Sequence, residues 1–402
     1  MTEPLAGIKV VDFTEYIAGP YCTMLLADMG ADVVKVERPE GDAWRHTAPV
    51  APYESRGFLG VNRGKRSIAL DLERSDGRGI AQRLALEADV VTIAYRPGVA
   101  QRLGLDYEKL SKTKPELIYC ENSAFGHNGP YATTLAVADL TTGMFMAFAI
   151  VSALYERTST RKGKRIETSL FASGLAAQYR PLLSVDEVDG PVREGFLAEL
   201  ANRRQRGLRH EEAAKLRNEY VSPRGRNNYY RVYETRDGLI AVACLNNRQR
   251  RGMRDVLGVE DTTVEGISYD WFSEEVRQAH RANDEALENR FRERSTAEWI
   301  EALDAADVPC GPVNFPEELF EHPHVEANRL MSTLDHPVLG PVRMPASPML
   351  MDGTRPDSGK PPPYLGQHGP EVLREIGYKD GEIDRLLEDR VLVTRERLVP
   401  GA

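Results

Sequence analysis

The residues with chemical potential in this sequence gather at the ends of short β-branched runs. Arg38 follows one run (VERPEGD), Arg63, Lys65 and Arg66 precede the next (NRGKRS), and Arg96 follows another (AYRPG), with Arg102 a turn or so later. In an open parallel sheet, ligands bind outside the carboxyl ends of the strands, which puts Arg38 and Arg96 on one rim. Without a glycine cradle, phosphate needs arginine, whose planar fork pairs bidentately with phosphate oxygens. A set of solvated rim charges is the plainer account of the same spacing. Asp139 stands directly before a long apolar stretch, in Val137-Ala138-Asp139-Leu140-Thr141-Thr142-Gly143. At an N-cap it gains backbone N–H donors and the positive end of the helix dipole, both of which stabilise a carboxylate. A carboxylate held at a half-buried helix start beside an unobstructed Gly143 is equipped to attack an activated acyl carbon, although an ordinary N-cap is the simpler reading. The loop Ser123 to Tyr131 carries Gly126 and Gly129, which let a backbone approach a ligand, and His127, either a base or a satisfied loop histidine; a structural turn explains it as well.

Several chemistries lack support. No Gly-x-Ser-x-Gly elbow and no Walker loop occurs, and the first turn, Thr14 to Pro20, has no Gly-x-Gly-x-x-Gly, which disfavours a dinucleotide. Cys22, Cys120, Cys244 and Cys310 form no CxxC pair and read as small buried apolar residues. His322 and His324 flank Pro323 without a third ligand at a usual spacing, so no metal site is expected. Lys+Arg 52 against Asp+Glu 61 leaves a formal charge of -9, which argues against nucleic-acid or membrane-surface partners. The longest apolar stretch, Leu140 to Tyr155, reads as too short and interrupted to span a bilayer, and the opening residues lack a signal peptide's basic and apolar regions. A soluble, cytoplasmic protein is the expectation.

The elements that must position these residues follow from pattern. Strands are expected at Gly7 to Phe13, Ala31 to Val36, Ser67 to Leu72, Asp89 to Ala94 and Leu117 to Ser123, with a helix at Gly19 to Met29 and helical patterns between the later strands. This is the alternation of a doubly wound parallel sheet. After Asp139 comes a helix apolar on nearly every face through Tyr155, the mark of a buried one, then a basic turn at Arg161 to Arg165 and an apolar segment to Ala177. Residues 186–226 are charged, with Arg203, Arg204, Arg206 and Arg209 close together, and read as a connecting arm. Tyr229 to Cys244 is a hairpin around Asp237-Gly238, and Ser295 with Glu298 forms a capping box.

Taken in order, these segments resemble the class III CoA-transferases (CaiB/BaiF type), which include formyl-CoA transferase, carnitine CoA-transferase and the α-methylacyl-CoA racemases. The resemblance runs from PLAGIKVVDFTEYIAGPYCTMLLADMGADVVKVERPEGD through NRGKRSIALDL, YRPGVAQRLGLDYEKL, LIYCENSAFGHNGPYA, ADLTTG and DVPCGPV to YLGQHGPEVLREIGY. It implies an α/β fold: a large Rossmann-like domain formed by both chain ends plus a small α+β domain, in an interlocked homodimer. The implied division is 1–185 for the CoA-binding and catalytic part, 186–226 for the arm, 227–313 for the small domain and 314–402 for the return. It implies a CoA site at Arg38, Leu72, Tyr95, Arg96, Arg102, Ala124, Phe125 and Gly126, and an acyl pocket near Tyr16, Ile17, Ala18, His127 and Gly143. Coenzyme A enters as substrate and product, with no permanently bound cofactor, and the other partners are an acyl-CoA and a carboxylic acid. Asp139 matches the family's catalytic aspartate, which attacks the thioester to give a mixed anhydride and then an aspartyl-CoA thioester.

Two departures bear on specificity. Between GPYA and ADLTTG most members have a few dozen further residues, holding the racemases' histidine base, where here only Thr133 to Val137 bridge the gap. Ala243-Cys244-Leu245-Asn246-Asn247 stands where formyl-CoA transferases carry a glycine run, which speaks against a formyl/oxalyl pair. CoA transfer is the leading expectation; α-methylacyl-CoA racemisation and non-catalytic binding of CoA thioesters are the alternatives.

Overall fold

The computed structural model describes residues 3–399 apart from 48, 97, 124–135, 179–181, 222–226, 261–273 and 352. The chain divides into two compact units, Met1–Leu182 with Pro323–Ala402, and Leu183–His322. The residues expected as an arm fall in the second unit, and the chain rejoins the first at Pro323.

The first unit is built on a seven-stranded sheet. Its strands are β1 (Lys9–Phe13), β2 (Asp32–Glu37), β3 (Arg66–Leu70), β4 (Val90–Ile93), β5 (Ile118–Ser123), β6 (Lys164–Ser169) and a short C-terminal strand, Leu392–Val393. From the edge inward the order is the C-terminal strand, β3, β2, β1, β4, β5, β6, all parallel except the C-terminal strand, which pairs antiparallel with β3. The strand β6 was unforeseen, because its polar KRIETS run lies at the sheet edge with only its last residue buried.

Both faces are covered, as a parallel sheet requires. Val10, Val33, Val90 and Ile118 pack beneath helices α1 (Ala18–Asp28) and α3 (Ala136–Thr160). The alternate residues Val11, Val34, Val91 and Tyr119 pack against α2 (Ser75–Glu87) and the C-terminal helices Gly369–Glu375 and Asp380–Glu388. Helix α3 departs from expectation. Ala138, Met146, Ile150 and Ala153 face the core, but Val137, Met144, Phe148, Val151 and Tyr155 are exposed, Phe148 to 74%. An apolar composition all round thus hides one packed face and one bare one. The helix is also longer than the expected stretch, and by length and composition Val137–Thr160 suffices to cross a membrane, a test that core helices of globular proteins pass too.

The second unit holds a three-stranded antiparallel sheet, β7 (Tyr230–Glu234), β8 (Leu239–Ala243) and β9 (Cys310–Pro312), with β8 in the middle. The hairpin and the Ser295/Glu298 capping box are as the sequence indicates. Arg203 and Arg204 end the helix Asp186–Gln205, and Arg206 and Arg209 lie in the turn before the helix His210–Val221.

Within the first sheet the register builds a buried polar row. Lys35 on β2 pairs with Asp12 on β1, Asp12 with Thr92 on β4, and Lys35 with Ser67 on β3. All four are fully buried. Asp12 accepts hydrogen bonds from Thr14, Thr23, Thr92 and Lys65. Burial pushes its carboxyl up, but Lys65, Lys35 and the two threonine hydroxyls overcome this and hold it well below the usual range. Glu37, at the end of β2, takes Arg45 bidentately at 2.7 and 2.9 Å and accepts from Ser67. Arg63, Lys65 and Arg66, first seen as free cations before β3, are spent on Asp28, Asp12 and Asp32.

Glu37 gives an acid-stability test. Burial opposes its ionisation, yet Arg45 and Lys35 bring its pKa from 4.5 to about 2. A depressed folded-state pKa means stability that is present above 4.5 and lost as pH falls through about 2. Thermal unfolding should show this loss in the native chain. Glu37→Gln should flatten that acid limb and, by taking the bidentate carboxylate from buried Arg45, which then keeps only Glu54 as an acidic partner at 3.4 Å, cost about 3 kcal/mol at neutral pH.

Candidate active site

The strand order reverses between β2 and β4 around β1, opening a crevice at the carboxyl ends. There the chain leaves β1 through Thr14-Glu15-Tyr16-Ile17 and enters α1 at Ala18. Three hydrogen bonds clamp this turn. Lys35 Nζ donates to the Thr14 carbonyl at 2.7 Å, the Tyr16 N–H donates to the Asp42 carboxylate at 3.2 Å, and Lys65 Nζ donates to the Pro20 carbonyl at 2.9 Å. Lys35 also pairs with Asp42 at 3.0 Å. Burial pulls the Lys65 ammonium down to about 8 against the opposing pull of Asp12, while Asp42 and Asp12 outweigh burial at Lys35 and hold its ammonium up. So clamped, Tyr16 takes φ 66°, a left-handed conformation that costs a non-glycine residue about 1–3 kcal/mol. Its ring lies 5.8 Å from that of Trp44 and stays half exposed.

Arg38 leaves the end of β2 and meets Glu15 from the clamped turn, Nε to Oε1 at 2.9 Å and Nη2 to Oε2 at 3.3 Å. Tyr95, past the end of β4, is close enough to both that, after burial, Glu15 pushes its hydroxyl up and Arg38 pulls it down. The structure therefore brings Arg38 and Tyr95 together around Glu15. Arg96 and Arg102 are exposed, the first after β4 and the second on the short helix Val99–Leu103. Leu72 is half-buried against the core under α2. Ala124, Phe125, Gly126 and His127 lie outside the described residues.

Asp139 is not an N-cap. The helix begins at Ala136, which places Asp139 one turn inside it. The helix dipole still favours its charge, yet burial prevails over its own backbone N–H and raises its pKa above the usual aspartate value. Gly143 is not unobstructed either. A Cβ there would stand 2.7 Å from the Ala18 carbonyl oxygen, 3.0 Å from Tyr21 and 3.3 Å from the Cys22 nitrogen. Only glycine lets α3 seat against the first turn of α1. Residues four apart share a helix face, so Asp139 lies on that same side, one turn closer to the rim than this contact. Ala18 is buried beneath it, whereas Ile17 is half-buried and Tyr16 open. The sequence reading missed Glu15, Asp12, Lys35 and Asp42. The available signal was a charge inside each of two apolar strands, which a sheet buried on both faces tolerates only as a pair.

Comparison with known proteins identifies the family. The model of CoA-transferase family III matches residues 5–137 and 130–369, in two pieces that meet where the sequence is short of a segment. The chain is 29% identical to the succinyl-CoA:glutarate CoA-transferase of Mus musculus, over 98% of this chain and 91% of that protein. It is 31% identical to the succinate–glutarate CoA-transferase of Agrobacterium fabrum, over 93% and 96%. A crystal structure of a CaiB/BaiF family protein from Brucella suis is similar with a TM-score of 0.70 and 28% identity, over 94% of this chain and all of that one. These names carry CoA transfer; neither racemisation nor binding without turnover gains support from them.

The Gly143 contact yields a sharp expectation. Gly143→Ala should lose about 1–3 kcal/mol of stability through overpacking against the Ala18 carbonyl, measured by denaturant unfolding. Because Asp139 rides on the same turn, turnover should fall about a hundredfold while the affinity for free CoA barely changes.

Proposed function

As a member of CoA-transferase family III, to which it belongs, the chain is a CoA-transferase, and we propose that Asp139 is its nucleophile. What supports this is a half-buried carboxylate one helical turn before Gly143, whose close seating on the Ala18 carbonyl brings α3 to the start of α1, the turn whose Glu15 meets Arg38. In the proposed site, Arg38, Leu72, Tyr95, Arg96 and Arg102 surround CoA, and Tyr16 and Ile17 border the acyl group.

The steps balance without an external proton donor. A carboxylate oxygen of Asp139 attacks the thioester carbonyl, the C–S bond breaks, and CoA leaves as thiolate, giving a mixed anhydride. The thiolate then attacks the Asp139 carbonyl carbon and expels the donor acid as carboxylate, leaving an aspartyl-CoA thioester. The acceptor carboxylate repeats the first step on that thioester, and the thiolate finally takes the acceptor's acyl carbon, freeing Asp139. Splitting the exchange this way suits two carboxylates of similar energy. The names of the mouse and Agrobacterium relatives support small dicarboxylic acids as the substrate class.

A homodimer completes the proposal. The bare stripe of Val137, Met144, Phe148, Val151 and Tyr155 recurs at the spacing of one helix face and is apolar enough to need a partner surface. A second copy of the chain is the occupant that the resemblance supplies. Sedimentation should give twice the chain mass; a monomer at micromolar concentration would overturn this part.

For the chemistry, Asp139→Ala should lower turnover at least about a thousandfold. Hydroxylamine added with acyl-CoA should trap an acyl hydroxamate with the native protein and not with the variant. The nucleophile must be ionised, so its raised pKa places the acid limb of kcat/KM above the usual aspartate value.

A further inference from the structure

Arg38 does not stand free at the rim. Its Nε and Nη2 are already engaged by the two oxygens of Glu15, side on and bidentate, at 2.9 and 3.3 Å. The pair is open to solvent on the arginine side, with 56% of the Arg38 side chain exposed against 32% of Glu15. Glu15 cannot drift away with its backbone, because the Thr14 carbonyl and the Tyr16 N–H on either side are tied to Lys35 and Asp42. Its carboxylate reaches Arg38 by side-chain torsions alone and can leave by them. Every phosphate that approaches the guanidinium on this face meets a resident negative charge in the place its own oxygens require.

We infer that Glu15 is an internal anion that occupies Arg38 in the CoA-free protein and is displaced by a phosphate of CoA, so that it sets how tightly CoA is held. This rests on the reading of Arg38 as a CoA ligand and adds to it a residue that opposes binding. A competing surface ion pair shifts CoA affinity by at most about fivefold, which makes Glu15 a governor of affinity and not a block. It also favours phosphate over weaker anions. A carboxylic acid substrate offers Arg38 nothing that Glu15 does not supply already, whereas a phosphate brings more charge and more acceptor oxygens.

A double-mutant cycle read by calorimetric titration with free CoA tests this. Glu15→Gln should bind CoA about two- to fivefold more tightly than the native chain, and Glu15→Ala should do the same, each with a cooperative thermal transition to show that it is folded. Arg38→Ala should weaken binding, and adding Glu15→Gln to it should bring no further tightening. A residue that merely orients Arg38 would have the opposite sign, since its loss would weaken binding. Unchanged or weaker CoA binding in both Glu15 variants, with Arg38→Ala still weakening it, overturns the inference alone. So does tightening that persists without Arg38. If Arg38→Ala leaves CoA affinity unchanged, the reading of Arg38 as a CoA ligand fails, and the inference with it.

Discussion

The buried charge cluster of Asp12, Lys65, Lys35 and Asp42 is the constraint on which the site depends. Asp12 and Lys35 face each other across adjacent parallel strands, and Lys65 arrives from the start of the third. Removing Asp12 would leave buried Lys65 without its carboxylate in a low-dielectric interior, at a cost of about 3–5 kcal/mol. Such a group adds little stability over a well-packed apolar core, so its value here lies in geometry. Each ammonium has hydrogen-bonding capacity left after meeting its aspartate, and spends it on the backbone carbonyls at the two ends of the β1–α1 turn. Asp42 closes the set by holding the Tyr16 N–H, and in doing so sustains a backbone conformation that the tyrosine would not otherwise keep.

From that rigid turn the remaining parts take their places by contact. The first turn of α1 offers the Ala18 carbonyl as a seat, and Gly143, lacking a side chain, lets α3 come down onto it. Asp139 inherits its position from this seating, which brings a residue far along the chain to within about one helical turn of the start of α1. Its environment is a compromise between opposing terms. Burial raises the pKa, and the Asp139 backbone N–H and the helix start oppose the rise.

Charge on the rim follows the same economy. The protein is acidic overall, and three of the six basic residues noticed beside the strands, Arg63, Lys65 and Arg66, are consumed in fixed ion pairs. Arg38 differs because its partner, Glu15, is exposed and local, so the pair can open without unfolding anything. The contrast between Lys65, locked at zero exposure, and Arg38, half in solvent, separates cations that build the site from one that can serve it.

Much of this was legible in the sequence. Alternating β-branched runs and amphipathic stretches mark the doubly wound sheet, and the rule that ligands gather at carboxyl ends of strands picks out Arg38 and the turn before Ala18. Asp139 stands out because a carboxylate before an apolar helix is conspicuous. These signals are short-range, carried by residues within a turn or a strand of each other. What the sequence could not decide depends on distances through space. Whether Asp139 caps its helix or rides inside it is set by where the helix starts. Whether Gly143 is open or essential is set by α1, and whether α3 is buried on one face or all round is set by what packs on it. Above all, the pairing of Asp12 with Lys35 needs the register between two strands separated by a helix. Only the assembled sheet fixes that register, because only there must every buried charge find its partner.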